Sequence, residues 1–404
     1  MRCRVRLILI LLFAAGAAAS GAATTSRKAT DREPPATAEQ EAALLSAAGK
    51  GFHIQRTTHF LIAYDVAPSE VKPFVARVEQ VYQSIYGFCA AHKIATIEPH
   101  RKLEIIYFDT FPEYERHASR VEFDAAGTYG FYSDADNRAV FYNCANDRQL
   151  AVLHRDLREA QRHATRLEKQ IAQTPAAGGR ITIEYGDGTS RTMTRDQARR
   201  EFAKAIERLK KLGARTDSYV ETINRTVVQH ETAHQVFFNA GVLVRGGQNP
   251  AWLVEGLAML FETPPTGMRS GIGVVNSLRL RDFRATVGVG DSGQGNSPDV
   301  VLTAMAKGRI APLRELLTDR ALFETRGRDA AVCYAEAWAL VHYLHRTRTK
   351  EFAEYLRRIS ARPPDRPVSK PQEIAEFEEV FGKADDAFVR RWARYILSLP
   401  VPSP

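Results

Sequence analysis

The sequence predicts an α+β fold: a small N-terminal mixed sheet with helices, then a mainly helical lobe, with an antiparallel helical hairpin inserted between them. Three observations predict it. Strand-like segments fall in the first third, where HFLIAYDV (59–66) and KLEIIYFDT (102–110) are short runs of β-branched and aromatic residues. From Leu150 to Ile171, the residues Leu150, Leu153, Leu157, Ala160, Ala164, Leu167 and Ile171 recur at alternating intervals of three and four, a heptad seam with charge elsewhere. Beyond about residue 214 the chain reads helical. The 404 residues, 44% hydrophobic and 25% charged, have ordinary globular composition and suffice for more than one core.

The elements follow in chain order. Arg2, Arg4 and Arg6 precede an apolar stretch from Leu7 to Phe13 and an A-x-A pattern ending near Ala19, the chemistry of a secretory signal peptide over 1–19. Residues 20–48 are small and polar with a Pro-Pro pair, and predict a flexible leader. The α/β part spans 49–146. After Pro68, the residues Val71, Phe74, Val75, Val78, Val81 and Ile85 have helical spacing. GTYGFYSDADNRAVFYN (127–143) places two aromatic runs around a turn-forming S-D-A-D-N and predicts a hairpin.

The inserted hairpin spans 147–213. After the seam helix, ITIEYGDGTSRTMT predicts a β-hairpin, and Thr194 with Gln197 forms a capping-box pattern for a second helix carrying Ala198, Phe202, Ala205 and Leu209. Such an arm serves as a rigid structural element or binds a protein partner. The lobe from 214 to 404 contains TVGVGDSGQGNSP (286–298), whose Gly288, Gly290 and Gly293 fit G-x-G-x-x-G. No strand precedes them, so the segment reads as a loop rather than a nucleotide site. Cys89, Cys144 and Cys333 have no metal-site spacing and read as small buried side chains, with one disulfide open to them.

Charge excludes one class of partner. The net +9 arises from 56 basic and 47 acidic residues, interleaved along most of the chain. No zinc finger, basic zipper or aromatic RNA-binding signature accompanies them, so no nucleic-acid partner is expected. After signal removal no segment is apolar for the ~20 residues that a membrane span needs.

The chemistry is concentrated in VVQHETAHQVFF (227–238). On a helix, His230 and His234 lie on one face about 6 Å apart along the axis and can share one metal ion. Glu231, displaced around the helix, reaches the metal's water rather than the metal. Tyr219 through Phe238 has no Pro or Gly and reads as one helix. In NPAWLVEGLAMLFE (249–262), every residue from Ala251 to Phe261 is apolar or glycine except Glu255. A carboxylate in so apolar a helix needs a cation. Two histidines and a glutamate are the ligand set of open, catalytic zinc sites. Asn249 is suited to cap this second helix, and Gly256 to let two helices approach closely.

HETAHQVFFN followed by AWLVEGLAMLFE resembles the gluzincin (peptidase MA-like) metallopeptidases. The nearest pattern is that of the membrane alanyl aminopeptidase and leukotriene hydrolase family, in which H-E-x-A-H-Q precedes W-L-x-E-G-x-A. The resemblance implies a thermolysin-like catalytic lobe, with zinc held by His230, His234 and Glu255 and with Glu231 as general base. It also implies an oxyanion-stabilising role for Tyr334, at the start of YAEAWALVHYL (334–344). The exopeptidase signature G-x-M-E-N is absent, and Val254 stands where the family has asparagine.

The expected function is hydrolysis of peptide or protein substrates by a secreted or periplasmic zinc peptidase. Gly130, Phe131 and Tyr132 are candidates for pairing with an extended peptide along an edge strand. Two other readings fit the same residues. One is a zinc-bound, non-catalytic envelope protein that binds a partner through the helical hairpin; the other is a cell-wall peptide amidase or carboxypeptidase.

Overall fold

The computed structural model describes residues 35–184, 189–263, 274–290, 297–324 and 328–401. The expected signal peptide, leader residues 20–34 and loop residues 291–296 lie outside these. The described chain forms two compact units: residues 143–224, and residues 35–142 together with 225–401. The fold class is α+β as expected, with a small mixed sheet early in the chain and a mostly helical remainder. Among the described residues no helix is long and apolar enough to cross a membrane.

The larger unit begins with α1 (Ala38–Ala48), β1 (His53–Arg56), β2 (Phe60–Tyr64), α2 (Pro68–Ala91), β3 (Leu103–Phe108), α3 (Phe111–Arg120), β4 (Gly130–Ser133) and β5 (Arg138–Tyr142). The sheet order is β1-β2-β3-β5-β4. The inner pairs β2–β3 and β3–β5 are parallel, while the outer pairs β1–β2 and β4–β5 are antiparallel. The inner strands β2, β3 and β5 are mainly apolar because helices cover both faces, and the two charges they carry, Glu104 and Arg138, pair with each other. Phe60, Ile62, Ile105 and Tyr107 join α2 in the main core; Leu61, Ala63, Ile106 and Phe108 face a second core with Leu44 of α1 and Tyr114 of α3.

This arrangement corrects the leader. Residues 38–48 form a helix, capped by the Thr37 hydroxyl accepting from the Gln40 N–H. Leu44 is fully buried, and Gln40 Nε2 donates to the Lys102 carbonyl and the Glu104 carboxylate. Small-residue composition conceals the segment, since its anchors are few: Leu44 and Ala48 in the core, the Gln40 amide, and Glu41 paired with Arg56 of β1.

The smaller unit contains α4 (Arg148–Gln173), β6 (Arg180–Glu184), β7 (Ser190–Thr194) and the first part of α5 (Arg195–Asn239). β6 and β7 pair as the expected hairpin, and Thr194 and Gln197 make the reciprocal capping bonds. Leu167 and Ile171 of α4 meet Ala198 and Phe202 of α5 in a small core. The boundaries differ from 147–213. The second arm helix and the H-E-x-x-H helix are one continuous 45-residue helix. Gly213 is its only glycine and it holds no proline, so the ~1 kcal/mol that one helical glycine costs does not break it.

The rest of the larger unit is helical: α6 (Ala251–Met259), α7 (Ser277–Val287), α8 (Asp299–Ala306), α9 (Leu313–Thr318), α10 (Ala321–Glu324), α11 (Arg328–Thr347), α12 (Thr349–Ser360), α13 (Lys370–Phe381) and α14 (Asp386–Ser398). Trp252, Trp338 and Trp392 are completely buried at its centre. Gly256 serves a close approach, to α11 rather than to α5. A Cβ there would lie 2.3 Å from Val341 Cγ2 and 2.8 Å from the Ala337 carbonyl oxygen. Asn249 does not cap α6, where Pro250 occupies the N-cap. Its side chain instead closes the preceding loop through the Val244 N–H and the carbonyls of Val244 and Gly247. Gly288 ends α7 at φ +83°, and Cys89, Cys144 and Cys333 are buried with no disulfide among the described residues.

Candidate metal centre

The sheet positions the motif helix. Gln235 Nε2 donates to the Glu104 carbonyl of β3 at 2.8 Å, and Asn239 Nδ2 donates to Asn137 Oδ1 in the β4–β5 turn. The Glu104 backbone carbonyl and the Asn137 side-chain amide thereby fix the rotation of this part of α5. Gly130 brings β4 against the same helix. A Cβ there would lie 3.0 Å from Val227 Cγ1 and 2.8 Å from Phe141.

His230, His234 and Glu255 converge. His234 Nε2 lies 3.0 Å from His230 Nε2, and Glu255 Oε2 lies 3.2 Å from His230 Nε2 and 3.6 Å from His234 Nε2. Ligands at ~2.0–2.1 Å around a tetrahedral ion are separated by about 3.3–3.4 Å, so the three atoms are spaced to share one ion. The tautomer supports the same reading. His230 Nδ1 is 3.0 Å from Glu262 Oε1, a carboxylate that only accepts, so Nδ1 carries the hydrogen. His230 Nε2 then faces Glu255 and His234 Nε2, where either a second proton on the ring or a shared metal ion would balance the Glu255 carboxylate. Burial disfavours charge on His230, but the Glu255 and Glu262 carboxylates outweigh it and push its pKa up to about 10. Burial likewise opposes the Glu255 carboxylate, yet both histidines hold its pKa far below the usual range. The centre is built to stabilise positive charge at the point where the three atoms meet.

Sequence reasoning missed what lies behind the ligands. Glu262, 4% exposed, accepts from Asn276 Nδ2 at 2.8 Å and from Arg279 Nε and Nη2 at 3.1 and 2.8 Å. Burial raises the Glu262 pKa, but Arg279 and His230 more than offset this and hold it at about 2. Asn276 also caps α7, accepting from the Arg279 N–H, so the first turn of that helix delivers both partners. A signal for Glu262 was present. It ends the apolar stretch two helical turns after Glu255, a second carboxylate in the same expected helix. Arg279 and Asn276 come from a different element, and no spacing rule connects them to the motif.

Glu231 accepts the Tyr132 backbone N–H. Burial pushes its pKa up while the neighbouring histidines pull it down. β4 is an outer strand of the sheet, as expected of a strand that would pair with a peptide. Its residues alternate. Tyr132 stacks on Phe238, with ring centres 5.6 Å apart, and its hydroxyl donates to Asn137 Oδ1. The Phe131 side chain turns to the opposite face, stacked on Phe123 at 4.0 Å in the outer core. Strand pleating forces this, leaving Phe131 only its backbone for any pairing.

Tyr334 lies on α11, in its second turn rather than at its start. Its ring stands edge-on to His230, with centres 6.4 Å apart, and packs against Phe323. The Glu255 carboxylate, then burial and Glu231, keep the phenol protonated well above its usual range. The structure thus brings together His230, His234, Glu255, Glu231, Tyr334 and the Tyr132 backbone.

A family model described as a protein of unknown function, DUF1570, matches residues 224–365. That span contains His230, Glu231, His234, Glu255, Glu262, Arg279 and Tyr334. No curated protein and no solved structure matches the chain.

Proposed function

We propose that this chain is a zinc-dependent peptidase of gluzincin type, acting outside the cytoplasm. The observation that carries the reading is the convergence of two imidazole Nε2 atoms and one carboxylate oxygen within 4.8 Å of one another, with Glu231 beside them. Two nitrogens and one oxygen leave a fourth tetrahedral position for water, and the donor set suits zinc. When bound there, zinc would polarise the scissile carbonyl and acidify its water. His230, His234 and Glu255 would hold it.

The chain's own residues supply the rest. Glu231 takes the proton of the attacking water and returns it to the leaving nitrogen. Burial raises its pKa against the pull of the neighbouring histidines, the direction that lets a base hand its proton on. The Tyr132 N–H holds one carboxylate orientation without neutralising the base. Tyr334, protonated at any working pH, donates to the oxygen on which negative charge develops. An extended peptide pairs with the outer edge of β4 through Gly130 and the Tyr132 carbonyl, the Tyr132 N–H being held by the base beside it. The extracytoplasmic location rests on the signal-peptide chemistry of residues 1–19.

The test combines metal analysis with a broad peptide-library digest of wild type and Glu231→Gln. One zinc per chain in both proteins, with cleavage lost by about 10²-fold or more only in the variant, supports the proposal. Stoichiometric metal without Glu231-dependent cleavage would leave a metal-binding protein and remove the peptidase.

A further inference from the structure

The larger unit holds one arginine that the proposed reaction does not use but that touches both sides of its site. Arg279 grips Glu262 with two nitrogens, Nε on Oε2 and Nη2 on Oε1, and Glu262 in turn accepts from the His230 Nδ1–H. The same guanidinium lies 5.7 Å from the centre of the Tyr334 ring. We infer that Arg279 is a positioning residue that holds the metal ligand His230 and the oxyanion donor Tyr334 in register with each other. The inference rests on the peptidase reading of this site.

Three features argue for it over a plain salt bridge. First, both Glu262 oxygens are engaged by the guanidinium fork, so the carboxylate cannot rotate and a single oxygen faces Nδ1. That fixes the ring orientation and tautomer of His230, and through them the aim of Nε2. Second, the same guanidinium that grips Glu262 lies within cation–π distance of Tyr334, so one planar group reaches both the ligand's partner and the oxyanion donor. Third, the carrier is rigid. Asn276 caps α7 at the Arg279 N–H and donates to Glu262, so backbone and side chain are tied to one carboxylate. The groups facing the guanidinium are Glu262, the Tyr334 ring and, from its own helix, Asp282.

Arg279→Lys and Arg279→Met separate these roles. Cobalt(II) substitution reports ligand geometry through the visible spectrum, chelator competition reports zinc affinity, and steady-state kinetics on a cleaved peptide splits kcat from KM. In Arg279→Lys the charge remains but the two-nitrogen fork on Glu262 is lost, and with it the simultaneous reach to Tyr334. The expected result is an altered cobalt spectrum, zinc affinity down by about tenfold and kcat down by at least as much, with KM nearly unchanged. Arg279→Met exceeds it on every readout. A wild-type cobalt spectrum, zinc affinity and kcat in Arg279→Lys overturns the inference, even if the protein melts earlier, because only a structural salt bridge behaves that way. Failure of the peptidase reading looks different: wild type itself then binds no metal or cleaves no peptide.

Discussion

Glu262 faces the Nδ1 side of His230 at 3.0 Å while Glu255 faces its Nε2 side at 3.2 Å, so one imidazole is held between two carboxylates with opposite tasks. Glu255 supplies an oxygen beside the nitrogen that would face a metal, and Glu262 determines which nitrogen points there. Replacing Glu262 by glutamine therefore isolates the orienting task. The amide keeps the volume but adds an NH2 that has no acceptor in Arg279. Zinc affinity is expected to fall about 10–100-fold while the fold persists, as measured by competition with a chromogenic chelator. Unchanged affinity would show that Glu262 serves stability alone.

Metal binding also links to stability. A ligand that binds only the native chain stabilises it by RT ln(1 + [L]/Kd), about 2.7 kcal/mol when free metal is one hundred times Kd. Chelation of purified protein is expected to lower the melting temperature, and added zinc to restore it. His230→Ala, which removes one ligand and breaks the contact with Glu262, should melt at the same temperature with and without zinc. A zinc-dependent shift that survives in this variant would place the metal elsewhere.

The parts of this site differ in how legible they are from sequence. His230, His234 and Glu231 share one helix, where a fixed period converts spacing into proximity. Glu255 was found by contrast, as one charge in an apolar run. The side-chain direction of Phe131 was not legible, because a strand's period of two sends neighbours to opposite faces and sequence does not say which face is the outer core. Arg279 and Tyr334 enter from α7 and α11, and only tertiary packing brings them to His230. The same limit applies to the fold. β2, α2, β3 and the β4–β5 hairpin follow from local patterns, whereas α1 declares itself only once Leu44 and Gln40 reach the sheet.

Gly256 tests how tightly the ligand-bearing helix is held. A methyl added there would meet Val341 Cγ2 at 2.3 Å and the Ala337 carbonyl oxygen at 2.8 Å, closer than atoms of a packed core approach. Gly256→Ala is expected to destabilise by about 1–3 kcal/mol despite alanine's better helix propensity, read from the denaturant midpoint. Adding Val341→Ala relieves the side-chain contact but not the backbone one. The double variant should therefore recover only part of the loss. Full stability in Gly256→Ala alone would mean that α6 and α11 separate without cost.

Glu336 predicts a pH effect that is independent of the metal. Its side chain is fully buried on α11, with Oε2 accepting the Ala311 N–H at 3.2 Å. Burial dominates over that bond and pushes its pKa up to about 8, against about 4.3 in an unfolded chain. Between these values the native protein keeps a proton that the unfolded chain has lost. Stability from this group is thus fully present below about pH 4.3 and falls by up to about 1.4 kcal/mol per unit as pH rises toward 8. Glu336→Gln accepts the same N–H without ionising, so it escapes that loss. Urea unfolding of both proteins from pH 5 to pH 8.5 should show the variant gaining steadily on wild type as pH rises. A stability difference that stays constant across this range would mean that Glu336 is ionised throughout and that its charge is compensated within the core.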